Sequence, residues 1–187
     1  MAAYQAGNQA AFTELYERYG GGVYGLLARR AANRALADDL YQEVFLRVHR
    51  ARHTYDRARP FRAWLFGIVH NLLIDSHREQ ERMPRIRVVE QAPSEGSNDV
   101  DVQIVASSSS TEDEAIRREA ARALDHAVRA LAPDEATVLV LARIEGLSYD
   151  DIAFVIGRSA TATKQLAYRA LKRVRAELTA AGHGEGS

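Results

Sequence analysis

From Pro60 onward the apolar residues keep a helical period. Phe61, Trp64, Leu65, Ile68, Val69 and Leu72 stand at i, i+3, i+4, i+7, i+8 and i+11. That spacing places all six on one stripe of an α-helix and predicts that the stripe is buried against other helices. Pro60 suits the start of this helix, where a missing N–H leaves no bond unmade. The chain has only 4 prolines and is rich in alanine and leucine, so the same reading extends to most of its length. The expected class is all-α.

Upstream, Phe12, Leu15, Tyr16 and Tyr19 fall at helical spacing, and the triple glycine at 20–22 is expected to break that helix, with a new one from Val23 to about Ala32. Leu36, Leu40, Val44 and Val48 form a further stripe, with Asp38, Asp39, Gln42 and Glu43 lying off it. Downstream, a helical pattern runs from Ala115 to Leu131. Pro133, Asp134 and Glu135 then open a helix that Gly146 closes. Ser148 and Asp151 have the S-x-x-D spacing of a cap at the head of a short helix ending at Gly157. Ser159 can cap the last helix, which carries Lys164, Arg169, Lys172, Arg173 and Arg175, with Ala167, Ala170 or Leu171, Val174 and Leu178 as its apolar stripe. Short helix, glycine turn and basic helix match a helix-turn-helix, a pattern that many helical hairpins share.

Residues 84–114 differ from both flanks: two prolines, a serine run and seven acids, with no base after Arg87. They predict a flexible acidic linker between two small helical domains, 1–83 and 115–187. Within the linker, "VDVQIV" at 100–105 alternates weakly, as a strand formed on a partner would. The formal net charge is zero, yet residues 45–87 hold ten bases against four acids, and residues 158–187 hold six against two. Two basic segments flanking an acidic one suit phosphate contacts that the linker could cover. The chain has no cysteine, no signal-peptide pattern at its N-terminus, and no apolar run near the roughly 20 residues needed to span a bilayer. The expectation is a soluble, cytoplasmic protein with no membrane insertion.

The two ends together carry a resemblance. "ADDLYQEVFLRV" (37–48) followed by "RPFRAWLFGIVHNLLIDSHR" (59–78) resembles region 2 of bacterial RNA polymerase sigma factors of the extracytoplasmic-function (ECF) type, of the sigma-70 family. "LAPDEATVLVLARIEGLSYDDIA" (131–153) resembles the start of their region 4. The resemblance implies a sigma factor without catalytic chemistry or cofactor. Such a protein binds core RNA polymerase, melts the −10 promoter element with its first domain and reads the −35 element with its second. It further implies that Asp39, Leu40, Gln42, Glu43 and Phe45 dock on the polymerase. Tyr55, Arg57, Arg59, Arg62, His70, Asn71 and Arg78 match the −10 segment, as does Phe66, with Arg82, Arg85 and Arg87 as further backbone contacts. An aromatic pocket, an amide and arginines are what capture of an unstacked base requires. Ser159, Lys164, Gln165, Tyr168, Arg169 and Arg173 match the −35 segment. The family also brings a third partner into view, an anti-sigma factor that covers the DNA- and polymerase-binding faces.

The sequence departs from the family after the turn. Thr163 and Ala167 stand where branched apolar residues usually pack, and Leu166 stands where an arginine is typical. Weak or assisted −35 recognition is therefore expected. Other readings are less well supported. A LuxR-type regulator needs an α/β receiver domain upstream, whereas residues 1–83 show helical periods only. His49 and His53 have i, i+4 metal spacing but no third ligand or intervening glutamate, so no metal is implied. The altered last helix also suits a sigma-like interaction module that no longer drives transcription.

Overall fold

A computed structural model describes residues 1–82, 111–180 and Gly182. Most of the 84–114 linker, the 100–105 segment, Arg85 and Arg87 lie outside the described residues. The helices are α1 (Ala2–Gln5), α2 (Ala10–Arg30), α3 (Arg34–Ala51), α4 (Phe61–Arg82), α5 (Thr111–Arg129), α6 (Pro133–Arg143), α7 (Tyr149–Ile156) and α8 (Ala160–Ala180). A 3-10 turn, Arg52–Thr54, follows α3. Among the described residues there is no strand.

In the N-terminal half, α2, α3 and α4 pack on one another around Val23, Leu26, Leu27, Val44, Val48, Leu65, Phe66 and Val69, all at most 1% exposed. The predicted stripe of α4 is confirmed at Leu65, Val69 and Leu72, while Phe61, Trp64 and Ile68 lie at the rim of the core. In the C-terminal half, α8 is the central element, in contact with α5, α6 and α7. Its fully buried Ala170 and nearly buried Val174 and Ala167 let the other helices approach closely, since interaxial distance follows side-chain size at the contact.

The triple glycine does not break a helix. α2 runs unbroken through Gly20, Gly21 and Gly22. Each glycine costs a helix interior about 1 kcal/mol relative to alanine, a local penalty that tertiary packing overrides here. Two of the three have steric reasons to be glycine. A methyl group at Gly20 would meet the Tyr41 hydroxyl at 2.5 Å, and one at Gly22 would meet the Glu145 carboxylate at 2.6 Å.

The halves do not stand apart. α4 packs against α6 and α7, and α2 against α5 and α6, so a single apolar core runs through both halves. α5 begins at Thr111, four residues before the expected domain start. Polar contacts reinforce this junction. The Arg30 guanidinium donates to the carbonyls of Val128 (3.3 Å), Arg129 (3.3 Å) and Leu131 (3.1 Å), capping the end of α5 with positive charge. Arg29 pairs with Asp125 at 3.3 Å.

Candidate nucleic-acid and polymerase interfaces

The loop before α4 is built as an aromatic shelf. The Tyr55 ring lies 5.7 Å from Phe61 and 5.4 Å from Trp64, with Tyr19 5.2 Å from Phe61 on the far side. The Tyr55 hydroxyl donates to the Arg59 carbonyl at 2.6 Å, and Asp56 accepts from the Ala58 N–H at 2.9 Å, which closes the loop on itself. Burial, with Asp56 close by, raises the Tyr55 pKa and keeps the hydroxyl a donor. Gln5 of α1 also holds this loop. Its amide donates to the carbonyls of Arg52 (2.8 Å) and Tyr55 (3.1 Å) and accepts from Arg57 at 2.9 Å. The sequence offered no periodic or motif signal for Gln5.

Several of the α4 candidates meet the C-terminal half. Arg62 donates to the Glu145 carbonyl, and to its carboxylate at 3.1 Å. The Arg59 guanidinium lies 4.2 Å from the centroid of the Phe154 ring. Phe66 is fully buried, and His70 is 3% exposed, covered by α6 of the C-terminal half, so neither lies on the surface of the packed chain. His70 Nδ1 lies 3.2 Å from the Thr137 hydroxyl and Nε2 lies 3.5 Å from Asp134, which Arg158 binds at 2.6 Å. Burial lowers the His70 pKa; Asp134 opposes that shift and Arg158 adds to it. Asn71, Arg57 and Arg78 remain exposed.

The second site is a helix-turn-helix. The Ser148 side chain accepts from the Asp151 N–H at 3.1 Å and donates to its carboxylate at 2.7 Å, the predicted cap of α7. Gly157 ends α7 at φ +66°, a left-handed conformation that favours glycine, and Ser159 caps α8 by accepting from Ala162 N–H at 3.2 Å. α8 then exposes Lys164, Gln165, Tyr168 and Arg169 together, with Tyr168 71% exposed. Arg173 also lies on the surface, but its guanidinium pairs with the buried Glu135 at 2.7 Å.

Comparison with known proteins settles the family. The sigma-70 region 2 family matches residues 15–83, and the sigma-70 region 4 family matches residues 121–174. The chain is 32% identical over 175 residues to the RNA polymerase sigma factor CarQ of Myxococcus xanthus, covering 94% of this chain and 93% of that one. It is 30% identical to the ECF RNA polymerase sigma factor SigW of Bacillus subtilis, covering 92% and 91% respectively. The solved structure of CnrH in complex with the cytosolic domain of CnrY matches with a TM-score of 0.68 at 28% identity, over 96% of this chain and 94% of that one. This chain belongs to the ECF RNA polymerase sigma factors. Its function is promoter-specific initiation of transcription, with core RNA polymerase and promoter DNA as partners.

As an ECF sigma factor, the chain presents part of its expected polymerase-docking segment on α3. Asp39 and Gln42 are exposed, and Glu43 is half-buried, paired with Arg47 at 2.9 Å and Arg50 at 3.9 Å. Leu40 and Phe45 are buried, which corrects their expected docking role. Phe45 packs among Phe12, Tyr16 and Tyr41, so the two residues hold α3 in place from behind. The exposed apolar residue on this face is Leu46, at 49%, four residues from Gln42.

In region 4 the departures from the family have a packing logic. Thr163 is fully buried, and its hydroxyl donates to the Ser159 carbonyl at 2.9 Å, so no polar atom is stranded. Leu166 is buried at the edge of a crevice of about 360 Å³ shared by α4 and region 4, beside Ile74, His77, Arg78 and Pro133. An apolar side chain suits that position, where an arginine would have to lose its hydration. Among the described residues no group of three or more His, Cys, Asp or Glu could hold a metal ion, and no helix is long and apolar enough to cross a membrane.

Proposed function

We propose that residues 1–83 act on the −10 element and residues 115–187 on the −35 element, with the acidic segment 84–114 as the tether between them. Tyr55 on its aromatic shelf, with Asn71, captures an unstacked base, and Arg57, Arg59, Arg62 and Arg78 hold the backbone. Lys164, Gln165, Tyr168 and Arg169 enter the major groove at −35, with Ser159 and Arg173 at its border. Asp39, Gln42 and Glu43 form the polar part of the polymerase contact, and exposed Leu46 supplies its apolar flank. The protein acts without catalysing a reaction of its own, in the cytoplasm. CnrH was solved with the cytosolic domain of CnrY, and an anti-sigma factor is a fitting third partner for this chain too.

The observation that carries this reading is the conjunction of two sites in family order: an aromatic-backed arginine loop at the head of α4, and a capped helix-turn-helix whose second helix exposes four potential reading side chains. The test is substitution within the reconstituted holoenzyme. Tyr55→Ala and Asn71→Ala should lower open-complex formation at least tenfold while leaving core binding intact. Gln42→Ala with Leu46→Ala should weaken core binding itself. Equal effects of both sets on both steps would contradict the division of roles.

A further inference from the structure

Glu145 sits at the junction between the two halves in an arrangement that DNA contact alone does not explain. It follows α6, just before Gly146, whose φ of +63° turns the chain towards α7. Its side chain is 16% exposed and lies over Gly22, in the middle of α2. The backbone at Gly22 is ordinary helix, so conformation does not call for glycine there. Space does: a methyl group would come within 2.6 and 2.8 Å of the two Glu145 carboxylate oxygens. In that notch the carboxylate meets Arg62 at 3.1 Å, and the same guanidinium nitrogen donates to the Glu145 carbonyl. Beside it, the Phe154 ring of α7 lies against the exposed Arg59 guanidinium at 4.2 Å. Both arginines belong to the face assigned above to −10 DNA.

We infer that Glu145, seated in the Gly22 notch, is an internal gate that holds region 4 over the −10 face and keeps Arg62 from DNA in the free protein. The inference rests on the reading of Arg59 and Arg62 as −10 contacts. The chemistry is competitive, because a carboxylate and a phosphate ask the same thing of a guanidinium, and one cannot bind well while the other is in place. The gate is local. The Arg30 and Arg29 contacts between α2 and α5 lie at a different part of the junction and involve neither Glu145 nor Gly22.

The chain has no cysteine, which allows thiol labelling of the full-length protein at Glu17→Cys on α2 and Arg175→Cys on α8, both exposed positions. Distances between paired nitroxide labels would be measured by pulsed dipolar spectroscopy in the parent, in Glu145→Ala and in Gly22→Ala. Each substitution should add a population at longer distance. The double substitution should open the chain no further than Glu145→Ala alone, since the added methyl acts only through that carboxylate. Binding of fluorescent single-stranded DNA of mixed sequence by the free protein should rise roughly tenfold as the competent fraction grows, and Arg62→Ala should cancel the gain. Unchanged distances in both single variants would overturn the gate while leaving the −10 assignment standing. Wider distances without a gain in DNA binding would leave the gate in place and overturn the assignment of Arg62.

Discussion

His70 shows how one side chain can tie the two halves to solution conditions. It projects from α4 of region 2 and is buried against α6 of region 4, where Thr137 and Asp134 face it and Arg158, from the turn before α8, binds Asp134. Burial is the largest influence and lowers its pKa below the usual 6.5, so the packed state favours the neutral ring. The sign follows. Well above pH 6.5 the ring is neutral whether packed or exposed, and it adds no pH dependence. As pH falls through 6.5 towards the depressed value, the exposed ring takes up a proton that the packed one resists, and the packed state loses stability. Thermal midpoints of the full chain from pH 8 to pH 5 should therefore fall, and His70→Phe should flatten that slope. An equal slope in the variant would show that other groups set the pH response.

At the scale of elements, α2 offers a three-way comparison within one run of glycines. A methyl at Gly21 meets nothing within 4 Å, whereas one at Gly20 meets Tyr41 and one at Gly22 meets Glu145. Gly21→Ala should therefore stabilise the protein by up to about 1 kcal/mol in chemical denaturation, from helix propensity alone. Gly20→Ala should gain less or lose stability, because the buried helix must make room for a tyrosine hydroxyl. A second element-level test is Ser148→Ala, which removes the cap of α7 and should cost about 1 kcal/mol.

The same elements show what could be read in the sequence. The 3.6-residue period of α4, the S-x-x-D cap of α7, Gly157 and the Ser159 cap are local patterns, each written within a few neighbouring residues. The continuity of α2 could not be read that way, because glycine's local preference is outweighed by neighbours 21 and 123 positions away in the chain, Tyr41 beside Gly20 and Glu145 beside Gly22. His70, Phe66, Leu40 and Phe45 were expected at surfaces because the resemblance names motif positions without saying which side faces inward. Phe45 fell beside the expected stripe of α3, and the aromatic cluster that buries it comes from α2 as well as α3. Gln5 lay outside every motif, Glu145 and Phe154 fell within the region 4 stretch without an assigned role, and only tertiary contact brings them to the site.

Across the whole molecule, zero net charge conceals a division of labour. The basic face of region 2 is partly neutralised by region 4 through Glu145, while Lys164 and Arg169 of α8 stay exposed. The shared core and the Arg30 contacts to the end of α5 favour the packed arrangement of the halves. On the proposed assignment of the halves to the −10 and −35 elements, engaging both at once calls for the halves to separate, with polymerase binding as the source of that work. This predicts that core polymerase shifts the labelled pair on α2 and α8 from the short to the long distance, as a binding partner selective for one conformation must. A short distance retained in the holoenzyme would contradict it.

The most direct test is to combine the purified chain with bacterial core RNA polymerase and a library of promoter DNA, and to sequence the 5′ ends of the RNA produced. The account predicts start sites that are absent with core enzyme alone, preceded by a common −10 sequence and a −35 sequence at fixed spacing. Loss of those starts in Tyr55→Ala and Lys164→Ala would tie them to the two sites. No starts above core enzyme alone, with the chain failing to bind the polymerase, would contradict the account at its centre.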